Sequence, residues 1–268
     1  MKTRVISGIV LGIITIASLV AGGWVTYGIT LAIALVGMYE LYKVIHMEKS
    51  LVAGIGYVSA VFYYICIATG LEKYEILVFV IALMAMMSVY VFTFPKFKSE
   101  HVMLAFLGLF YVGVLLSYIY KVRVLDDGIY LVWLIFVSSW GNDTFAYFTG
   151  VFLGKHKMAP KLSPKKSVEG AIGGVLGATL LGFVYGYVVS TRMSALFVHP
   201  VYTFAAASCI GSILAIVGDL AASAIKRNHE IKDYGNLIPG HGGIMDRFDS
   251  VIFTAPAVYW AVFIINKF

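Results

Sequence analysis

Residues 74–94 read YEILVFVIALMAMMSVYVFTF, a run of 21 in which Glu75 is the one charged side chain. A helix of that length rises about 30 Å, the thickness of a bilayer's hydrocarbon core. Outward from this stretch, eight further apolar runs can be placed. The full set is 5–22, 23–45, 51–69, 74–94, 101–120, 128–153, 168–190, 200–222 and 250–266. This pattern predicts an all-α, polytopic membrane protein with about nine transmembrane helices. Gly22-Gly23 alone separates the first two runs, so they are expected to form a tight helical hairpin. Lys2 and Arg4 precede the first run as they would in a secretory signal. No small-residue cleavage site ends it and eight more runs follow, so it is read as a retained helix.

Composition leads to the same class. Of 268 residues, 60% are hydrophobic and 13% charged, with a mean hydropathy of +0.90. A soluble domain carries about 25% charged residues. The 20 basic and 14 acidic side chains are too few to cover a globular surface. A soluble domain, a disordered chain and a disulfide scaffold are therefore excluded. Both cysteines, Cys66 and Cys209, lie inside apolar runs.

Nine spans sort the connecting segments into two sets. Fifteen of the 20 basic residues fall with the N-terminus and the segments near 43–50, 95–100, 154–167 and 223–249. Only Lys73, Lys121, Arg123, Arg192 and Lys267 fall on the other side. The positive-inside rule then makes the richer side, and the N-terminus with it, cytoplasmic. The net charge of +6 thus calls for no nucleic-acid partner. Residues 1–125 are quiet and read as a scaffold of transmembrane helices, with Glu40 and Glu75 near span ends. A homodimer could use that half. Residues 126–268 read as a catalytic membrane region with cytoplasmic loops 154–167 and 223–249.

Asp143 to Asp249 holds seven of the 14 acids, three of them in or beside apolar helices. Ionisable residues at membrane depth are costly and mark functional sites. Asp143 lies between Asn142 and Thr144 in the sixth run, as a pocket residue or a structural acid bonded to a neighbouring helix. The loop Lys155–Gly170 carries Lys161, Ser163, Lys165, Lys166 and Glu169 and leads straight into a helix. It suits a lipid headgroup at the membrane surface. It equally suits a phosphate placed at a helix N-terminus, with lysine as a point charge. Asp219, Ser223 and Lys226 are spaced i, i+4, i+7 and share one helix face. Asp246 and Asp249 are spaced i, i+3, and if helical they present two carboxylates on one face. No zinc spacing occurs. Hard oxygen donors beside lysines fit Mg²⁺ bound through one or two carboxylates and substrate phosphates.

The segment Ser223-x-Ile225-Lys226-Arg227-x4-Lys232-Asp233-x-Gly235-x2-Ile238-Pro239-x-His241-Gly242-Gly243-Ile244-x-Asp246-Arg247-Phe248-Asp249 resembles the signature of the CDP-diacylglycerol synthase (phosphatidate cytidylyltransferase) family. Asp143-Thr144-x-Ala146-Tyr147 and Ser163-Pro164-Lys165-Lys166-Ser167-x-Glu169-Gly170 resemble it too, with Ser167 where threonine is frequent. The resemblance covers the C-terminal half. It implies an enzyme of phospholipid biosynthesis in the cytoplasmic (inner) membrane that makes CDP-diacylglycerol and pyrophosphate from CTP and phosphatidic acid. Mg²⁺ would serve as cofactor, as one cation or two. Asp219, Asp246 and Asp143 would hold the metal, and Lys226 would join them in catalysis. Lys161, Ser163, Lys165, Lys166, Glu169, Ser223, Arg227, His241, Arg247 and Asp249 would bind substrate. CTP would arrive from the cytoplasm and the lipid sideways between helices. Two rival readings are a CTP-dependent polyprenol kinase, which would release CDP, and an ion-coupled transporter, which would show an inverted repeat.

Overall fold

The computed structural model describes residues 2–193, 199–240 and 242–265, with side chains from Ile6 onward. Apart from one short hairpin its regular structure is helical, and it divides into two compact units. The first comprises residues 1–120 and 231–247, the second 121–230 and 248–268.

In the first unit α1 (Lys2–Ala21) leads into α2 (Gly23–Lys43), followed by α3 (Leu51–Ala68) and α4 (Glu75–Phe92). Then α5 (Ser99–Gly108) runs through a π-helical turn, Leu109–Val114, into α6 (Leu115–Arg123). Gly22 and Gly23 take φ of 66° and 48°, a left-handed region open to glycine, and reverse the chain between α1 and α2. Helix α2 buries a stripe that includes Thr26, Thr30, Ala34, Met38 and Leu41, as its helical period requires. Tyr42 ends that stripe and donates a 2.6 Å hydrogen bond to the Ala105 carbonyl. Ser50 caps α3 by accepting from Ala53 N–H at 3.1 Å, a bond worth about 1 kcal/mol. Helix α4 fully buries only Ala82 and Met86 and presents much of its apolar surface outward, as a lipid-facing helix does.

The second unit is built on α7 (Gly128–Phe136), a π-helical turn at Val137–Gly141, and α8 (Asn142–Leu153). An antiparallel hairpin of β1 (Lys157–Ala159) and β2 (Ser163–Ser167) precedes α9 (Val168–Val189). Helix α10 (Pro200–Asn228) and α11 (Met245–Ile265) complete the chain. Helix α9 packs between α8 and α10. Its glycines permit this: a Cβ on Gly174 or Gly177 would collide with Asn142 or Phe145 of α8, and one on Gly182 with Ser208 of α10. Small residues at such faces let membrane helices approach closely.

All nine apolar runs are helical among the described residues. Seven helical stretches among the described residues are long and apolar enough to cross a membrane: Gly23–Lys43, Leu51–Ala68, Glu72–Phe92, Ser99–Arg123, Val168–Arg192, Pro200–Asn228 and Met245–Ile265. Ile6–Ala21 is a shorter apolar helix, and Gly128–Leu153 carries the polar stretch around Asn142 and Asp143. The protein is a multi-pass, all-α membrane protein. Two details differ from the expected loops. Helix α10 continues to Asn228 and α11 starts at Met245, so Ser223, Lys226, Arg227, Asp246 and Asp249 are all helical. Residues 157–167 are a hairpin because alternate backbone groups pair across β1 and β2, with Lys157 opposite Ser167.

Candidate active site

The second unit contains a cavity of about 420 Å³ between α8, the hairpin, α9 and α10. Its polar lining includes Asn142, Asp143, Lys165, Lys166, Ser167 and Asp219, and with Tyr147, Val151, Met158 and Ile216 the greater part of its surface is apolar. Each group has a local cause. The π-helical turn precedes α8 directly, and such bulges are frequent at functional sites. It is followed at once by Asn142, buried, and Asp143, exposed at the cavity. Ser139 within the turn is pinned to Ser250 of α11 by a 2.7 Å hydroxyl pair.

Asp219 stands at the centre. One carboxylate oxygen pairs with the Lys166 ammonium of β2. The other accepts a 3.3 Å bond from the Ser223 hydroxyl, one turn further along α10. Lys166 and Asp219 are each about one-quarter exposed (27% and 25%), so the pair is reachable by a ligand. Lys226 follows on the same face of α10. Beside Asp219, a Cβ on Gly218 would lie 2.7 Å from the Asp249 carbonyl oxygen, so α10 and α11 meet here backbone to backbone. The charges of Asp219, Lys226 and Asp143 all act on Asp249.

The hairpin is tied down at both ends. The Glu169 carboxylate accepts from the backbone N–H of Lys155 and His156 and meets the His156 ring nitrogen Nδ1 at 2.5 Å. Ser167 caps α9 by accepting from Gly170 N–H at 3.1 Å. Arg227 of α10 donates from Nε to the Leu162 carbonyl at 3.4 Å. Lys165 and Lys161 are exposed, the latter on the hairpin turn, while Ser163 is half-buried.

In the first unit, Asp246 is buried, and its Oδ2 accepts from the backbone N–H of Tyr234 at 2.8 Å and of Gly243 at 3.0 Å. Arg247 is half-buried, and its Nε has no hydrogen-bond partner among the described residues. His241 lies outside the described residues. Asp143, Lys165, Lys166, Asp219 and Ser223 are thus brought together in the second unit, with Lys226, Asp249 and the Glu169-bound hairpin about them. Asp246 and Arg247 belong to the signature segment of the first.

Asn142, which the sequence places beside Asp143 in a polar pocket, is buried in the cavity wall. Sequence reasoning passes over one residue here. Glu40 of α2, treated as an interfacial acid, is only 4% exposed and binds the backbone of Ile244 and Met245. The one available signal for Glu40 was an acid within an apolar helix.

The donor set bears on metal binding. Among the described residues, no group of three or more His, Cys, Asp or Glu side chains is placed to hold an ion. Two carboxylates, Asp143 and Asp219, line the cavity. That number fits Mg²⁺, which takes one or two carboxylates and completes its shell with water and phosphate.

Residues 2–265 match the cytidylyltransferase family. A protein of Bacillus subtilis (strain 168) named phosphatidate cytidylyltransferase is 31% identical, the match covering 97% of each chain. One of the same name from Staphylococcus aureus (strain COL) is 30% identical over 96% of each. With a family match and relatives that cover nearly its whole length, this chain belongs to the cytidylyltransferase family.

Proposed function

We propose that this protein is a phosphatidate cytidylyltransferase that joins CTP to phosphatidic acid, giving CDP-diacylglycerol and pyrophosphate. The observation that carries the reading is Asp219, fixed by Lys166 and Ser223 in a largely apolar cavity walled by membrane helices. A lipid phosphate and a nucleotide triphosphate are both anionic, and the apolar part of the lining accepts the lipid's glycerol and acyl stem.

The phosphate of phosphatidic acid is already a nucleophile at neutral pH. Its oxygen attacks the α-phosphorus of CTP, the bond to the β-phosphate bridging oxygen breaks, and pyrophosphate leaves. No covalent intermediate on the protein is needed, so catalysis rests on positioning and charge neutralisation. Lys166 moves from Asp219 to a triphosphate oxygen, Lys165 and Lys226 add positive charge, and Ser223 keeps Asp219 oriented. Lys161, Ser163, Arg227, His241, Arg247 and Asp249 serve substrate binding. Asp143 and Asp219 would hold Mg²⁺, a task that the sequence pattern alone gives to Asp246 as well. Bound there, the metal supplies Lewis-acid stabilisation of charge on the phosphates. The cavity opens to the cytoplasm of a bacterial inner membrane, the side the basic residues select.

The test is purified protein in mixed micelles with phosphatidic acid, Mg²⁺ and CTP labelled at the α- or γ-phosphate. The α-label should enter the lipid and the γ-label should leave as pyrophosphate. γ-Label in the lipid with release of CDP would overturn the reading in favour of a kinase.

A further inference from the structure

Three consecutive backbone N–H groups, those of Gly243, Ile244 and Met245, point at carboxylates where α11 begins. Asp246 accepts the first at 3.0 Å, and Glu40 accepts the next two at 3.1 and 2.9 Å. The first N–H groups of a helix have no partner inside it and attract anions. Here the protein's own side chains fill the place, and the bonds to Glu40 cross more than 200 residues of sequence. The turn before them is closed by a 2.9 Å bond from Ile238 N–H to the Gly242 carbonyl, with Gly240 and Gly242 at φ of 78° and 84°.

The signature's glycines fit the same arrangement. A Cβ on Gly235 or on Gly243 would collide with the Glu40 carboxylate. Glu40 therefore sits in a glycine cradle, nearly removed from solvent, with a backbone N–H on each oxygen. A carboxyl group in such a place is retained only when its partners are fixed, because a buried polar group left unpaired is strongly destabilising. The pairing is mutual: the segment holds the carboxylate, and the carboxylate holds the segment.

We propose that Glu40 is a positioning residue for the cytidylyl-transfer reaction, clamping residues 243–245 so that Asp246 and Arg247 are presented to the nucleotide in one geometry. This rests on the function proposed above. Glu40 touches no substrate; it acts through the backbone that carries those two side chains. The quiet N-terminal half thereby contributes a functional residue.

The experiment uses the full chain in detergent or nanodiscs, with Glu40→Ala and Glu40→Gln beside wild type. Hydrogen exchange of peptides spanning 242–247 should rise in Glu40→Ala, while exchange in α3 stays unchanged. A misplacement of about 1 Å can cost a hundredfold. Accordingly kcat/KM for CTP should fall about ten- to hundredfold through both parameters, with KM for phosphatidic acid unaltered. Glu40→Gln, which keeps the shape and one acceptor oxygen, should lie between the two. It carries the test if the alanine variant does not fold. Unchanged exchange at 242–247 would overturn the clamp. Raised exchange with wild-type kinetics would overturn its catalytic part, as would equal losses toward both substrates with exchange raised across the whole unit. If wild type itself transfers no CMP, the function proposal fails, and the exchange measurement alone still decides whether Glu40 holds the segment.

Discussion

Asp219 shows how much one side chain can depend on two neighbours. Its ion pair with Lys166 and its bond from Ser223 fix the carboxylate without burying it. Asp219→Asn keeps the shape and removes the charge, so CMP transfer should fall by at least about a hundredfold, the scale seen when a preorganised electrostatic group is lost. Membrane insertion and thermal stability should survive, as thermal unfolding of the detergent-solubilised protein would report. Ser223→Ala should be milder, weakening apparent Mg²⁺ affinity about tenfold, as loss of an orienting partner does. A Mg²⁺ titration of initial rate checks it, and an unmoved half-saturation point would remove Ser223 from that role. This part of the site was legible in the sequence, since spacing of i, i+4, i+7 places Asp219, Ser223 and Lys226 on one face of any helix. Glu40 was not legible. Its partners are backbone N–H groups, which leave no mark on residue identity, and they lie two hundred positions away.

Among the elements, α10 and α11 show where the fold tolerates nothing added. A Cβ on Gly218 would come within 2.7 Å of a backbone oxygen and 3.1 Å of the Phe253 Cβ, neither at the end of a flexible side chain. Gly218→Ala should therefore separate the helices, costing about 1–3 kcal/mol of stability and reducing transfer because Asp219 moves with its neighbour. Gly28 of α2, with nothing within 4 Å of its missing Cβ, is the contrast. Gly28→Ala should leave turnover unchanged and stability equal or higher by up to about 1 kcal/mol. Thermal unfolding of both variants compares the two, and equal losses would show that the α10–α11 approach is not tight. Helix positions were read well from apolar runs, while their ends were not. Hydropathy marks where a membrane stops, but α10 keeps its hydrogen-bonding ladder to Asn228, and carboxylates let α11 start at Met245. The hairpin at 157–167 was hidden too, since its pairing and its anchoring by Glu169 depend on partners rather than on alternation.

For the molecule as a whole, the placement of basic residues makes a topological prediction. In a variant lacking Cys66 and Cys209, a single cysteine at Lys161 should react with an impermeant maleimide only from the cytoplasmic side of inverted vesicles. One at Arg192 should react only from the other face. Identical sidedness would remove a span from the proposed arrangement and with it the cytoplasmic site.

One further property follows from the way α9 and α11 begin. Val168 and Gly170 give their N–H groups to His156 and Ser167, and Gly243, Ile244 and Met245 give theirs to Asp246 and Glu40. A triphosphate thus finds few backbone dipoles to lean on at these helix starts and must be gripped by ammonium and guanidinium side chains. Such a grip is screened by salt, with a Debye length of about 10 Å at 0.1 M and about 3 Å at 1 M. The KM for CTP should climb steeply as potassium chloride is raised at fixed Mg²⁺, while kcat holds. The enzyme would then respond to the ionic strength of its compartment through its nucleotide, and scarcely at all through its lipid, whose acyl chains stay anchored in the bilayer.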